Sequence, residues 1–320
     1  MPSPKPKLLI DYESEGFPSA SAVTNGTSIL ETSWDELIWA AVTVGRPNRQ
    51  YVFRHGQASI YEALFRLSLT RMALEQRPGG RRLRRTAAAK TLDPSEKGAV
   101  SYFMGMTLCK LFSARLLSAP WLLHLDVFRP GLDIQLSGRS RPDLVGKTNS
   151  NEGVALESKG RLSKPDADAK TKAKNQATRV VSIDGVSPTY RIGGIAYFRN
   201  EVLRFYWRDP EARNTSKTIE VKLRDEDWAY YYRPIFELFQ SRHETSPSRA
   251  EKSSALIEEV DIDLGIHPMI LRLLTESNWA GARQTSVELA QAFHERGYQL
   301  DGIRIDAGPS WRLPFSEFRE

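Results

Sequence analysis

The sequence predicts an α/β (α+β) fold, a mixed central β-sheet flanked by helices, with a mainly helical N-terminal addition and a small C-terminal one. Three observations carry this expectation. Short apolar runs bounded by turn residues read as strands: WLLHLDVF (121–128), RPDLVG (141–146), GVALESKG (153–160), RIGGIAYFR (191–199) and VLRFYWRD (202–209). Two stretches, 93–118 and 165–181, have helical spacing. Their order is helix, three strands, helix, strand, strand, which is too mixed for an all-β or all-α domain.

Residues 1–90 form an expected accessory region, partly helical. Its opening is rich in Pro, Ser and Lys and is expected to fray. Helical patterns begin after Ser33 (WDELIWAAVTV) and again over 59–76 (SIYEALFRLSLTRMALEQ). PGGRRLRR (78–85) reads as a flexible basic loop, either a solvated surface run or a strap that contacts phosphates.

The core is expected over 91–240. Its first helix has Asp93 placed as N-cap, Pro94 at the first helical position and Glu96 where a capping-box acid belongs. Val100, Phe103, Met104, Leu108, Leu111 and Phe112 then recur at helical spacing. The second helical stretch carries Lys170, Lys172, Lys174 and Gln176 beside an expected buried stripe of Ala173, Ala177, Val180 and Val181. In VLRFYWRD the alternation puts Leu203, Phe205 and Trp207 on one face. WAYYYRPIFELF (228–239) reads as a helix packed on the core, with base stacking by the tyrosines as the alternative. A polar linker is expected over 241–260 and a small C-terminal region over 261–320. Within the latter, TSVELAQAFHERG (285–297) reads as a helix capped by Thr285, with Glu288 three residues on and Gly297 as its stop.

Composition narrows the function. The formal net charge of +6 and a sequence pI near 9.3 favour anionic partners, nucleic acid foremost. A single cysteine, Cys109, allows no internal disulfide and sits in an apolar helical pattern as a packing residue. His55, His124, His243, His267 and His294 are scattered without zinc-ligand spacing. There is no GxxxxGK[ST] loop, which argues against an intrinsic NTPase. With no membrane span and no signal peptide in the sequence, the expected location is cytoplasmic.

The chemistry-bearing stretch is RPDLVGKTNSNEGVALESKGR (141–161). If GVALESKG is a strand, Val154, Leu156 and Ser158 point one way while Ala155, Glu157 and Lys159 point the other. A turn-rich connector, KTNSNEG, would fold RPDLVG back on it and bring Asp143 beside Glu157. Two adjacent carboxylates resist joint ionisation unless a cation joins them, and hard oxygen donors suit Mg2+ or Mn2+. Lys159, two residues on, reaches the same side, where an ammonium can hold a water or stabilise charge on phosphoryl oxygens.

Pro142-Asp143 together with Glu157-Ser158-Lys159 resembles the motif of the PD-(D/E)xK nuclease superfamily, and the element order over about 93–209 is similar to its restriction-endonuclease-like core. The resemblance implies Asp143 and Glu157 as metal ligands, the Ser158 backbone carbonyl as a further one, and Lys159 as the residue that orients the nucleophilic water. It also implies a Mg2+-dependent endonuclease acting on DNA. Such enzymes serve in restriction, phage defence or mobile elements. Members often carry an extra acid on the first core helix, which makes Glu96 a candidate beside its capping role, and a Gln on the second, which makes Gln176 one. Arg139, Arg141 and Arg161 flank the motif and are ranked above Lys172 as phosphate contacts. The terminal regions could dock protein partners, and a homodimer would suit cutting of two strands. The alternative is a non-catalytic nucleic-acid-binding or assembly subunit on the same fold.

Overall fold

The strand runs of the sequence pair into one mixed sheet. The computed structural model describes residues 7–46, 57–128, 141–209, 218–243, 253–313 and 315. The sheet contains β1 (Leu8–Glu15), β2 (Gly26–Thr32), β5 (Trp121–His124), β6 (Leu144–Lys147), β7 (Gly153–Gly160), β9 (Tyr190–Arg199) and β10 (Val202–Arg208), in the order β2-β1-β10-β9-β7-β6-β5. β7 runs parallel to β9 and β1 parallel to β10, while the other neighbours along that path are antiparallel. The short β8 (Val180–Ile183) and β11 (Ile219–Val221) pair outside this sheet.

Helices cover both faces. α1 (Trp34–Thr43) and α2 (Gln57–Ala73) precede a short α3 (Ala87–Thr91) and the long α4 (Pro94–Leu117). The α4 start is as expected: the Asp93 carboxylate accepts from the Ser95 and Glu96 backbone N–H groups, and Glu96 accepts from that of Asp93. α4 lies tightly on β7. A Cβ at Gly105 would fall 2.7 Å from the Lys159 carbonyl carbon, and one at Gly160 would fall 1.7 Å from the Ser101 carbonyl oxygen. The opposite face is covered by α5 (Ala167–Ala177), whose Ala169 and Ala173 pack on Ile195, Tyr197 and Tyr206.

Several expectations change. The N-terminal region is not a mainly helical addition. Leu8 and Ile10 are fully buried, and β1 inserts beside β10 as part of the central sheet. Residues 1–6 of the Pro-, Ser- and Lys-rich opening expected to fray lie outside the described residues, and LLIDYESE directly after it is a strand. PGGRRLRR is the turn and second strand of a hairpin, β3 (Leu74–Gln76) with β4 (Leu83–Arg85). Its arginines pair internally: Arg81 with Glu31, Arg82 with Asp11 and Arg85 with Glu201, each at 2.9 Å. These three pairs tie the hairpin to neighbouring strands, while Arg81 and Arg82 stay about half exposed. The basic helix stops at Ala177, and Val180 opens β8, so the buried stripe is Ala169, Ala173 and Ala177.

The expected small C-terminal region contains a second sheet. β12 (Ser254–Ile257), β13 (Ile262–Ile266) and β14 (Ile303–Ala307) form an antiparallel sheet. Helices α6 (Ala229–His243), α7 (Pro268–Thr275), α8 (Trp279–Glu288) and α9 (Ala290–Glu295) join it, and one hydrophobic cluster runs through both halves. β12 occupies part of the expected linker. The seam is polar at one point. Fully buried Asp301 accepts from Trp39 Nε1 at 2.9 Å and Tyr231 Oη at 2.6 Å, and Lys110 Nζ donates to Tyr231 Oη at 2.5 Å. The tyrosines of α6 are buried, so they are core and not a stacking surface. The expected helix at 285–297 is split at Leu289, and Asn278 rather than Thr285 caps the first part; Gly297 does end it, at φ +77°. Among the described residues no helix is long and apolar enough to cross a membrane.

Candidate functional site

β6 and β7 form the antiparallel pair expected from the turn-rich connector, with Leu144 opposite Leu156 and Val145 opposite Ala155. Continuing that register by one residue sets Asp143 opposite Glu157, and the Asp143 N–H donates to the Leu156 carbonyl at 3.0 Å. The Asp143 carboxylate in turn accepts from the Ser158 backbone N–H at 2.8 Å, which fixes its orientation across the strand pair.

The two faces of β7 differ as the alternation requires. Ser158 Oγ faces Gly105 on α4. Lys159 is paired in register with Ile195, which α5 covers, so Glu157 and Lys159 belong to the α5 face. Glu157 is 0% exposed, whereas the Lys159 side chain is 38% exposed and leads from the carboxylate to solvent. Lys159 Nζ ion-pairs with Glu157 Oε1. Glu157 Oε2 is buried without a hydrogen-bond partner among the described residues.

The electrostatics follow from this placement. Burial pushes the Glu157 carboxyl up to about 8, the Asp143 charge adds to the rise, and Lys159 and Arg141 oppose it. Burial raises Asp143 to about 6 against the lowering effect of the Ser158 N–H and the Lys159 and Arg141 charges. Two carboxyls held this far above their ordinary range are poised to accept a cation. The donor set fits a hard divalent ion: two carboxylates, with an orphaned buried oxygen on one of them. Among the described residues no group of three or more His, Cys, Asp or Glu side chains converges on one point. A cation here would thus keep water or phosphate oxygens in its remaining positions, as Mg2+ commonly does.

A second cluster borders the carboxylates, drawn from residues far apart along the chain. Arg141 Nε donates to Asp126 Oδ1 at 2.6 Å. The Asp126 backbone N–H donates to His124 Nδ1 at 3.2 Å, and His124 Nε2 lies 3.4 Å from the Tyr102 hydroxyl. Tyr102 is raised to about 12, by burial first and then by the Asp143 charge. His-Leu-Asp at the end of β5 was visible in the sequence, but only the fold carries it to Asp143.

The other candidates separate. Arg141 borders the site but is paired with Asp126. Arg161, just past β7, is exposed. Lys172 is exposed and paired with Asp168 at 2.7 Å. Glu96 is an exposed cap at the start of α4, and Gln176 is half-buried on α5. Among the described residues no hydrogen bond or ion pair joins Glu96, Gln176 or Lys172 to the carboxylates. Arg139 lies outside the described residues. The sequence-predicted set that the fold does bring together is Asp143, Glu157, Ser158 and Lys159. Compared with known proteins, the chain matches no family model, no curated protein and no solved structure.

Proposed function

We propose that this chain is a metal-dependent nuclease with a restriction-endonuclease-like core, hydrolysing phosphodiester bonds in DNA with Mg2+ or Mn2+. The observation that carries the proposal is the buried Glu157 carboxylate. It stands opposite Asp143, pairs through one oxygen with Lys159, and leaves the other oxygen without a partner. A fully buried acid with an unsatisfied oxygen costs stability and is hard to explain as scaffold.

Asp143 and Glu157 would hold the cation, together with the Ser158 backbone carbonyl. When bound, the ion supplies a lowered pKa for water and neutralises charge developing on the phosphoryl group. Asp143 is pre-oriented for ligation by the Ser158 N–H. Lys159, half-exposed at the mouth, would orient the attacking water and place positive charge beside the phosphoryl oxygens. Arg161 would bind a flanking phosphate.

The test is incubation of the purified chain with linear, circular and single-stranded DNA, with Mg2+ and with EDTA, beside Asp143→Ala, Glu157→Ala and Lys159→Ala. The expected result is Mg2+-dependent cleavage that both acid variants abolish. Lys159→Ala should slow it about 100- to 1000-fold, the scale of one removed charge-stabilising donor, with DNA binding retained. Cleavage unchanged in all three variants, or no cleavage of any DNA with either metal, would overturn the proposal.

A further inference from the structure

A row of arginines leads away from the carboxylate site on the face that Glu157 and Lys159 share. Past Gly160 the Arg161 N–H still donates to the Ala196 carbonyl at 2.8 Å. The chain therefore keeps the course of β7, and Arg161 follows Lys159 by one alternation. On β9, α5 covers Tyr197 together with Ile195, and Arg199 comes two residues after Tyr197, on that same face. Arg199 pairs in register with Val202 of β10, and Val202 pairs with Arg84 of β4. Cross-strand partners share a face. Arg161, Arg199 and Arg84 thus stand side by side at one end of the sheet, in the strand order β7-β9-β10-β4.

The charge balance of this row points to a polyanion. Arg161 and Arg199 are exposed and Arg84 is half-buried. Among the described residues none of the three has an ion pair, and Arg84 Nη2 donates to the Asn200 carbonyl at 3.3 Å. The acids of that face are already matched. Glu201, next to Asn200, pairs with Arg85 at 2.9 Å and Lys90 at 3.6 Å. Asp11 pairs with Arg82 at 2.9 Å and Arg204 at 3.3 Å. At the start of α5, Asp166 accepts from the Ala169 N–H at 2.7 Å and Asp168 pairs with Lys172 at 2.7 Å. Like charges on adjacent strands repel and cost stability, a cost that a bound anion removes. Neighbouring strands lie about 4.8 Å apart, so the row from β7 to β4 crosses about 14 Å, or about four nucleotides of rise on one strand of duplex DNA.

We infer that Arg161, Arg199 and Arg84 form a phosphate track for the DNA backbone, running from Lys159 across the ends of β7, β9, β10 and β4. A guanidinium fork grips two phosphate oxygens at once. Contacts of this kind fix the position of a strand without reading its sequence. A backbone held on the track meets the site from the Lys159 side, with its scissile phosphate beside Lys159 and the following phosphates on the arginines. The inference rests on the nuclease reading for the position of the cut, but the binding it describes needs no metal.

The test measures binding of the full chain in EDTA to a fluorescent DNA duplex across a salt series. Arg161→Gln and Arg199→Gln should each make the slope of log affinity against log salt shallower by about 0.9, and the double variant by about 1.8. Between about 50 and 200 mM salt the parent's advantage over the double variant should then shrink about 12-fold. Adding Arg84→Gln should bring the loss of slope to about 2.7. Arg199→Lys should keep the parent's slope, since an ammonium still meets a phosphate. Arg272→Gln, which removes one exposed charge from α7, should also keep it. Arginine variants with the parent's slope would overturn the inference, as would a parent that does not bind DNA. A slope flattened equally by Arg272→Gln would overturn it too, because net charge alone would then carry binding. Track-dependent binding without Mg2+-dependent cleavage would sink only the nuclease reading; cleavage without track dependence would sink only the track.

Discussion

Replacing Glu157 by Gln tests the buried carboxylate directly, without any substrate. The folded-state value of about 8 lies above the ordinary 4.5, so the folded chain binds a proton that the unfolded chain has released between those limits. The sign is therefore the reverse of the usual acid: stability is fully present below pH 4.5 and is lost as pH rises toward 8. At pH 7 the loss is about 3 kcal/mol, because about 2.5 pH units have been crossed at 1.36 kcal/mol each. For a chain of 320 residues this corresponds to about 4–5 °C in Tm. Gln has the size of the neutral acid and no proton to lose. In EDTA, Glu157→Gln should melt close to the parent at pH 5 and about 4–5 °C above it at pH 7. Differential scanning calorimetry of both proteins across that range gives the difference, in which other titrating groups such as Lys110 cancel. Parallel melting curves with the same pH slope would refute the burial of the Glu157 carboxyl from which the site is argued.

Two further outcomes follow from the packing. Gly160→Ala should destabilise the fold by several kcal/mol, on the order of severe overpacking, because the new Cβ would sit 1.7 Å from the Ser101 carbonyl oxygen and neither backbone can yield cheaply; a urea midpoint equal to the parent would contradict the close seating of β7 on α4. Tyr231→Phe removes one donor from the buried Asp301 carboxylate and one acceptor from Lys110, and should cost about 1–3 kcal/mol in equilibrium unfolding, with a neutral result arguing against that polar seam.

The lessons of sequence and structure divide along physical lines. The α4 cap was legible because Asp93, Pro94 and Glu96 act within one turn. The strands of the motif were legible because their alternation is local and their register is fixed by a short connector. That alternation also placed Glu157 and Lys159 on one face before any fold was known. β1 escaped because eight residues with ambiguous alternation declare themselves a strand only when β10 pairs with them. The arginines after Pro78 looked free for the same reason: Asp11, Glu31 and Glu201, which neutralise three of them, are distant in sequence.

By itself the sequence determined the central strands, the long first helix and the Asp143–Glu157–Lys159 constellation, all of which depend on spacings of a few residues. The tertiary structure alone decided that Glu157 is sealed from water with one oxygen unpartnered, since burial is set by α4 and α5 closing on the sheet. It also decided that His124, Asp126 and Tyr102 gather near Asp143. Those facts concern residues brought together across tens of positions, and long-range packing, not local propensity, sets their charge state and exposure.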